Sequence, residues 1–222
     1  MFSRDFPPFF HPTKLIFAAI RYITFVNNKS ELGDFADQFQ ELFEMILMSK
    51  KLDRILILPI FHLFGDEENE SLELCTAEYL LEIENLEKVI EIREHSFLTN
   101  PIFSQNQNSP ISRSLFIDVV GPGNKPISKS TSLDSLFVPG HRGFIQFISK
   151  KPKLYQSDAP IETSQFLSWL ESDPDVQESR LLVFGSIRHK FSDLTANFSE
   201  EYLWQVYEAM QQKPAPHLSA NK

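Results

Sequence analysis

The sequence predicts an α/β protein in which a mixed sheet of about five strands packs against helices. Short apolar runs typical of buried strands occur at residues 54–58, 115–120 and 180–184. Residues 32–46 instead carry apolar side chains at the i, i+3, i+4 and i+7 spacing of an amphipathic helix. Strands that alternate irregularly with helices favour a mixed sheet with helices against it.

The first 26 residues are predicted to form an arm and then a helix. Residues 1–12 hold three prolines among four phenylalanines, which excludes a regular helix and indicates an extended aromatic arm. In residues 13–26 the polar side chains fall on one side of a helical wheel, which predicts a mostly buried helix. Residues 22–26 also have strand propensity, so a strand is the alternative there.

The amphipathic helix comes next along the chain. Ser30 can cap its first turn, and Lys50 and Lys51 suit its C-terminal end. The buried strand at 54–58 follows and ends at Pro59. Residues 72–90 have apolar spacings of three and four that fit a helix, and residues 89–93 alternate as a strand.

The middle of the chain is rich in turn-forming residues. Residues 100–113 and 121–135 are predicted loops on either side of the strand at 115–120. Residues 136–138 and 144–148 flank a Pro-Gly-His-Arg-Gly stretch and resemble a hairpin with a wide turn.

The last third is predicted to contain two helices around a strand. Residues 161–170 form a short helix that stops at Asp173-Pro174, and the strand at 180–184 follows. A final helix opens at Asn197 or Ser199 and ends at Pro214. No convincing linker divides the chain, so residues 1–222 are predicted to be one domain, with residues 214–222 a disordered tail.

The composition excludes several classes of protein. Hydrophobic residues make up 42% and charged residues 23% of the chain, as in globular proteins. The 21 phenylalanines are expected to fill the core, and an exposed aromatic docking surface is the alternative. One cysteine excludes an internal disulfide and a cysteine-based zinc site. With no secretory signal pattern, it favours a cytoplasmic location. The longest apolar run, 55–61, falls short of the roughly 20 residues that a membrane span needs.

Charge is segregated along the sequence. The formal net charge is −9, and residues 66–94 contain 11 acids against two bases, while the rest of the chain holds 19 of each. Residues 125–153 hold six bases and one acid. These segments could be solvated surfaces, or they could meet opposite charges on a partner or a second copy. A third interpretation is that the basic segment binds the phosphate of a nucleotide or nucleic acid.

The candidate catalytic motifs are incomplete. Residues 121–125, Gly-Pro-Gly-Asn-Lys, follow a strand as a phosphate-binding loop would, but Pro122 and Pro126 remove two backbone N–H donors. Gly185-Ser186 follows a strand as in a nucleophile elbow, yet Arg188 stands where the second glycine belongs.

Three other polar residues were candidates for function. His141 and Arg142, in a glycine-flanked turn, could together hold a carboxylate or phosphate. Asp118 lies inside an apolar strand, and alternation places it on the less buried face, so pairing or exposure is favoured over catalysis. No histidine has an established metal-ligand spacing, so neither a metal nor a cofactor is predicted.

These patterns favour a non-catalytic protein-binding component, such as an assembly factor, adaptor, inhibitor or immunity-type partner. Segregated acidic and basic surfaces would bind a protein partner or form a salt-sensitive dimer. The candidate binding residues are Glu67, Glu68, Glu70, Glu73, Lys125, Lys129, His141 and Arg142. The alternative is an enzyme acting on a phosphorylated or carboxylated small molecule or on nucleic acid.

Overall fold

The computed structural model describes residues 20–26, 34–63, 73–99, 114–123, 126 and 152–211. The strands in these ranges are β1 (Tyr22–Phe25), β2 (Ile55–Ile57), β3 (Ile60–Leu63), β4 (Glu73–Thr76), β5 (Ile92–Arg93), β6 (Ser114–Val120), β7 (Lys153–Gln156) and β8 (Leu181–Phe184). The helices are α1 (Phe35–Leu52), α2 (Ala77–Leu80), α3 (Ile83–Glu87), α4 (Ser96–Thr99), α5 (Thr163–Ser172), α6 (Pro174–Glu178) and α7 (Glu200–Ala209), with a 3₁₀ turn at Thr195–Asn197.

The main sheet has the strand order β5–β2–β1–β8–β6–β7, and its described strand pairs are parallel. β1 lies inside this sheet, where Tyr22 is opposite Ile55 of β2 and Leu181 of β8. Because parallel neighbours need a crossover, α1 connects β1 to β2. β3 and β4 form a separate antiparallel pair. The predicted α/β class with helices against a sheet is confirmed, and the main sheet has six strands in the described ranges.

Both faces of the sheet are covered, which explains why its strands are continuous apolar runs. Alternate residues of a strand point to opposite faces. The larger core cluster combines strand residues with side chains of α1, α5 and α7, among them Ile23, Phe25, Ile117, Phe184, Leu42, Met45, Phe166, Leu170 and Val206. The cluster on the other face includes Tyr22, Val26, Phe116, Val183 and Leu98.

Phenylalanine fills much of this core, as the composition predicts. Five phenylalanines are fully buried: Phe25, Phe61, Phe116, Phe166 and Phe184. The ring of Phe166 lies 5.0 to 6.1 Å from the rings of four aromatic neighbours, Tyr155, Trp169, Phe184 and Phe191. Each fully buried Phe contributes roughly 1.5–3 kcal/mol of hydrophobic stabilisation.

Helix α1 begins and ends where its sequence provides caps. The Asp34 carboxylate accepts from the Asp37 N–H at 2.9 Å, and the Asp37 carboxylate accepts from the Asp34 N–H at 3.1 Å. This reciprocal pair is a capping box. At the other end Asp53 takes a left-handed conformation with φ of 50°, while Lys50 and Lys51 complement the negative end of the helix dipole.

A buried arginine joins the amino ends of the central strands. The guanidinium of Arg54 donates to the carbonyl oxygens of Tyr22 at 3.3 Å, Ser179 at 3.0 Å and Val176 at 3.2 Å. Burial lowers the pKa of Arg54 to about 9, so the side chain remains charged at neutral pH. The amino ends of β1, β2 and β8 are therefore tied together by one cation.

Three sequence predictions need correction. Residues 22–25 of the predicted helix at 13–26 are strand β1, because parallel partners on both sides satisfy their backbone. The predicted helix at 72–90 is strand β4 followed by two short helices. Strand β4 forms because its residues pair with β3, which follows Pro59. The third correction concerns the N-cap of α1: Ser30 is the cap that the sequence predicts, but the helix begins at Phe35 and Asp34 caps it.

The remaining differences are local. Pro174 does not simply stop the chain's helical region: it occupies the first turn of α6, where the Asp173 side chain caps the helix. Strand β7 was not predicted, and it pairs with β6 at the sheet edge. The arm at 1–12, the tail at 214–222 and the hairpin at 136–148 lie outside the described residues.

Within the described part of the chain, no helix has the length and apolar character needed to cross a membrane.

We expect Arg54→Ala to destabilise the protein by about 3 kcal/mol, because three buried carbonyl oxygens lose their donor. The measurement is urea-induced unfolding followed by circular dichroism. Arg93→Ala is the matched control, since Arg93 forms an exposed ion pair with Glu91 that is worth roughly 0–1 kcal/mol. Equal losses for the two variants would contradict the role given to Arg54.

Candidate functional site

The carboxyl ends of β1, β8 and β6 meet at one edge of the main sheet, here called the carboxyl edge. From β1 the chain proceeds outward through β2 to β5, whereas from β6 it proceeds outward in the opposite direction to β7. The order of the strands therefore reverses around β8. In open α/β sheets, ligands bind in the crevice outside the carboxyl ends at such a reversal. The carboxyl edge is therefore the candidate site.

Residues 185–190, here called the β8 loop, follow β8 at this edge. The Gly185 N–H donates to the Ile117 carbonyl at 3.0 Å and so extends the pairing of β8 with β6. Lys190 fixes the other end of the loop, because its ammonium donates to the carbonyls of Val119 at 2.7 Å and Ser186 at 2.6 Å. A Cβ on Gly121 would lie 3.3 Å from the Lys190 side chain, so glycine lets the end of β6 approach it closely.

Three carboxylates of α1 hold the β8 loop. Glu41 accepts from the Ser186 hydroxyl and from the Ile187 N–H, each at 2.5 Å. Glu44 accepts from the His189 N–H at 3.2 Å, and Asp37 forms an ion pair with Arg188 at 2.8 Å. The three acids are four and three residues apart, so they share one face of the helix. We call Asp37, Glu41 and Glu44 the carboxylate ladder.

Glu41 is the most deeply buried member of the ladder, with 3% of its surface exposed. Burial raises its pKa from 4.5 to about 7, although the hydrogen bonds from Ser186 and Ile187 oppose the increase. The neighbouring Glu44 charge raises the pKa further and Lys190 lowers it. Burial also raises the pKa of Glu44. The site therefore contains a carboxyl group that can change its charge near neutral pH.

The β8 loop presents two basic side chains to the carboxyl edge. His189 is 70% exposed and has a left-handed backbone with φ of 55°, which is uncommon for a residue other than glycine. Its Nδ1 lies 3.9 Å from a Glu44 oxygen. The Arg188 side chain is one-fifth exposed beside Asp37. Guanidinium and imidazole groups can donate hydrogen bonds to the oxygens of an anion.

The N-terminus of α1 is closed by its own acids. The carboxylates of Asp34 and Asp37 occupy each other's backbone N–H groups. Their negative charges also complement the positive end of the helix dipole. The N–H groups of Asp34 and Asp37 are therefore already occupied, and the exposed or partly exposed basic side chains of the β8 loop are those of Arg188 and His189.

Known proteins resemble this fold but not this sequence closely. The sequence matches no family model and no curated protein. The structure is similar to POFUT1 in complex with GDP, with a TM-score of 0.55 and 20% identity over 88% of this chain and 51% of the POFUT1 chain. For POFUT1 in complex with GDP-fucose the TM-score is 0.57 and the identity 18%, over 88% and 52% of the two chains.

The POFUT1 apo-form gives a TM-score of 0.53 at 18% identity, again over 88% of this chain and 52% of the other. This chain shares its α/β fold with the matched half of the POFUT1 chain. It spans about half the length of the POFUT1 chains it matches.

This likeness overturns the expectation of a non-catalytic protein-binding component, and with it the emphasis on protein–protein interaction. Solved structures with this fold hold GDP or GDP-fucose. The alternative from the sequence, an enzyme acting on a phosphorylated small molecule, agrees better with that finding. Segregated charge was a poor guide because solvated surfaces produce it as readily as binding surfaces do.

The structure describes one of the eight binding residues predicted from sequence, Glu73. Seven of them lie outside the described residues: Glu67, Glu68, Glu70, Lys125, Lys129, His141 and Arg142. Glu73 belongs to β4, where its backbone pairs with Leu63. These assignments stay predictions.

Two residues examined in the sequence do lie at the carboxyl edge. Ser186 is not an exposed nucleophile, since its hydroxyl is buried and donates to Glu41. Asp118 shares a strand face with Phe116, as alternation predicts, but it is buried rather than exposed. Its Oδ1 lies 3.8 Å from where a Cβ on Gly185 would be.

The ladder, Arg188 and His189 were missed. The spacing of Asp37, Glu41 and Glu44 along one helix face could have indicated the ladder in the sequence. The same spacing is also typical of a helix face exposed to solvent.

We expect Glu41→Gln to remove a pH-dependent contribution to stability. The pKa of Glu41 is higher in the folded state, so its contribution is complete below about pH 4.5 and is lost as the pH rises through about 7. From pH 4.5 to 7.5 the difference in unfolding free energy should shift by about 3 kcal/mol in favour of the variant. Urea unfolding at a series of pH values measures it.

Comparing the variant with the wild type cancels the opposing effect of the buried histidines. Burial lowers the pKa values of His62 and His95, so their contributions are lost as the pH falls below about 6.5. Glu84→Gln, at an exposed position on α3, is the control. Parallel stability curves for Glu41→Gln and the wild type would show that Glu41 titrates normally.

Proposed function

We propose that this chain contributes to an enzyme that acts on a sugar nucleotide bound at the carboxyl edge. The observation that carries the proposal is the likeness, over 88% of the chain, to POFUT1 in complex with GDP-fucose. POFUT1 is a GDP-fucose-dependent fucosyltransferase. Because this chain spans about half of the POFUT1 chain, further parts of the catalytic site would come from outside the matched half.

The chemistry of the carboxyl edge supports a diphosphate ligand. Transfer of a sugar from a nucleoside diphosphate breaks the bond between the sugar and the terminal phosphate, and negative charge grows on that phosphate. Cationic donors fixed in advance near this charge stabilise the transition state. Arg188 and His189 are the exposed or partly exposed basic groups on the β8 loop, and both are held by carboxylates of α1.

The ladder also limits how strongly an anion binds. Each acid that orients a basic group reduces the net positive charge available to the ligand. Asp37 is paired with Arg188, whereas burial raises the pKa of Glu41 to about 7, so a large fraction of Glu41 is uncharged near neutral pH. Three acids thus hold the loop, but the repulsion between them and a bound diphosphate is weaker than that of three full negative charges.

A role for the charged segments in self-association stays a proposal. Residues 66–94 of one copy could contact residues 125–153 of another, which would give a salt-sensitive dimer. A cytoplasmic location likewise stays a prediction.

We expect the chain to bind GDP-fucose and GDP in isothermal titration calorimetry. Arg188→Ala and His189→Asn should each weaken binding about tenfold, since a hydrogen bond to a charged group is worth roughly 1.5–3 kcal/mol. Asparagine is chosen at 189 because it tolerates a left-handed backbone. Lys88→Ala is the matched control, since Lys88 is exposed and precedes β5 at the opposite edge.

UDP-glucose and ADP-ribose serve as comparison ligands for the nucleotide base. Equal weakening by Lys88→Ala would contradict a site at the carboxyl edge. Absence of GDP and GDP-fucose binding by the folded wild-type chain at millimolar ligand would overturn the proposed function.

A further inference from the structure

We propose that Glu41 is a positioning residue: with Asp37 and Glu44 it latches the β8 loop against α1, and proton uptake at Glu41 tightens the latch. The ligand-binding consequence of this latch rests on the proposed function. The latch itself rests on contacts within the chain.

Each acid of the ladder contacts a different part of the β8 loop. Glu41 holds Ser186 and Ile187, Asp37 holds Arg188, and Glu44 holds the backbone of His189. These partners are separated from α1 by about 145 positions in the sequence, so only the folded structure brings them together. Arg188 and His189 carry the exposed or partly exposed basic side chains of the β8 loop, and the ladder contacts both residues.

The loop is also attached at both ends and through Ile187, whose side chain is fully buried in the larger core cluster. Gly185 donates to β6 at its start, and Lys190 bonds to β6 at its end. The Lys190 carbonyl also accepts from the Ile161 N–H at 2.9 Å. Between these ends, Ile187 and His189 have their N–H groups on Glu41 and Glu44. Release of the ladder would therefore expose the N–H groups of Ile187 and His189 to solvent while both ends and the Ile187 side chain stay anchored.

The geometry around Glu41 fits both of its protonation states. When Glu41 is ionised, Ser186 and Ile187 donate to its two oxygens. When Glu41 gains a proton from solvent, Oε2 can donate to the Ser186 oxygen while Oε1 still accepts from Ile187. No heavy atom has to move between the two states.

The direction of the switch follows from burial. The charged and titratable groups facing Glu41 are Glu44 on its own helix and Lys190 on the β8 loop, with Asp37, Arg188 and His189 beside them. In the latched state, burial makes the charged form of Glu41 costly, and the Glu44 charge adds to that cost. In an open loop Glu41 would be hydrated and ionise at its ordinary pKa. Raising the pH through neutrality therefore favours the open loop.

Hydrogen exchange of backbone amides tests the latch without any ligand. On the full chain, the protection of the Ile187 and His189 amides, corrected for intrinsic exchange, should fall about tenfold between pH 6 and pH 8. The Val26 and Leu203 amides donate to the carbonyls of Phe184 and Ser199, outside the β8 loop. Their protection reports global opening and should not show this fall between pH 6 and pH 8.

Two variants separate positioning from general stability. In Glu41→Gln the protection of the Ile187 amide should lose most of its pH dependence, while Glu84→Gln should behave as the wild type. Ser186→Ala removes a hydrogen bond that lowers the pKa of Glu41, so it should move the loss of protection to higher pH. This second variant keeps the test decisive if Glu41→Gln does not fold.

The outcomes distinguish the latch from the proposed function. Wild-type protection that is flat between pH 6 and pH 8 overturns the latch, whatever the chain binds. Protection that falls as expected while GDP-fucose fails to bind supports the latch and overturns the proposed function. If both hold, GDP-fucose affinity should fall with rising pH in the wild type and less steeply in Glu41→Gln.

Discussion

The parallel pairing of β1 with β8 is the constraint on which the rest of the structure depends. Tyr22 to Phe25 lie opposite Leu181 to Phe184, about 160 positions later in the chain. Both faces of this strand pair are buried, and its outer edges pair with β2 and β6. Chain entropy opposes so distant a pairing, so the strands need ties at their ends. Arg54 supplies one at the amino ends. At the carboxyl ends the Val26 N–H donates to the Phe184 carbonyl, and the carboxylate ladder holds the loop that follows β8.

Arg54 and the carboxylate ladder differ in how their charge responds to pH. Arg54 is a buried cation whose three carbonyl partners carry only partial charge. It stays charged at neutral pH because even its lowered pKa lies near 9. Glu41 can instead lose its charge near neutral pH. The contact of Arg54 at the amino ends therefore keeps its charge at neutral pH, whereas the contact between α1 and the β8 loop includes a group that can bind a proton.

Much of the fold could be predicted from sequence where local pattern decides structure. Helix α1 shows its apolar spacing and the basic residues of its last turn directly, although its N-cap is Asp34 rather than Ser30. The apolar runs around β6 and β8 are too short for helices. β1 could not be assigned in this way, since Tyr22 to Phe25 suit a helix or a strand and only their distant partners decide. Pro174 was similarly ambiguous, because proline ends one helix and begins another.

The site was harder to predict because burial, not residue type, gives its acids their role. Residues 66–94 contain 11 acids, and those described at positions 82, 84, 87, 91 and 94 are exposed. Ion pairs between exposed side chains contribute little to stability. Glu41 looks the same in sequence, and nothing local shows that a loop 145 positions away covers it. The number of charges drew attention to residues 66–94 and away from the acids of α1.

The ladder and the proposed ligand act on the same charges, which couples them. A diphosphate beside Arg188 and His189 would add negative charge close to Glu41. That charge favours the protonated form of Glu41, and the protonated form favours the latched loop. By reciprocity, a proton on Glu41 reduces the repulsion that the ligand meets. On the proposed function, proton uptake, loop closure and diphosphate binding therefore reinforce one another, although the fold alone requires none of them.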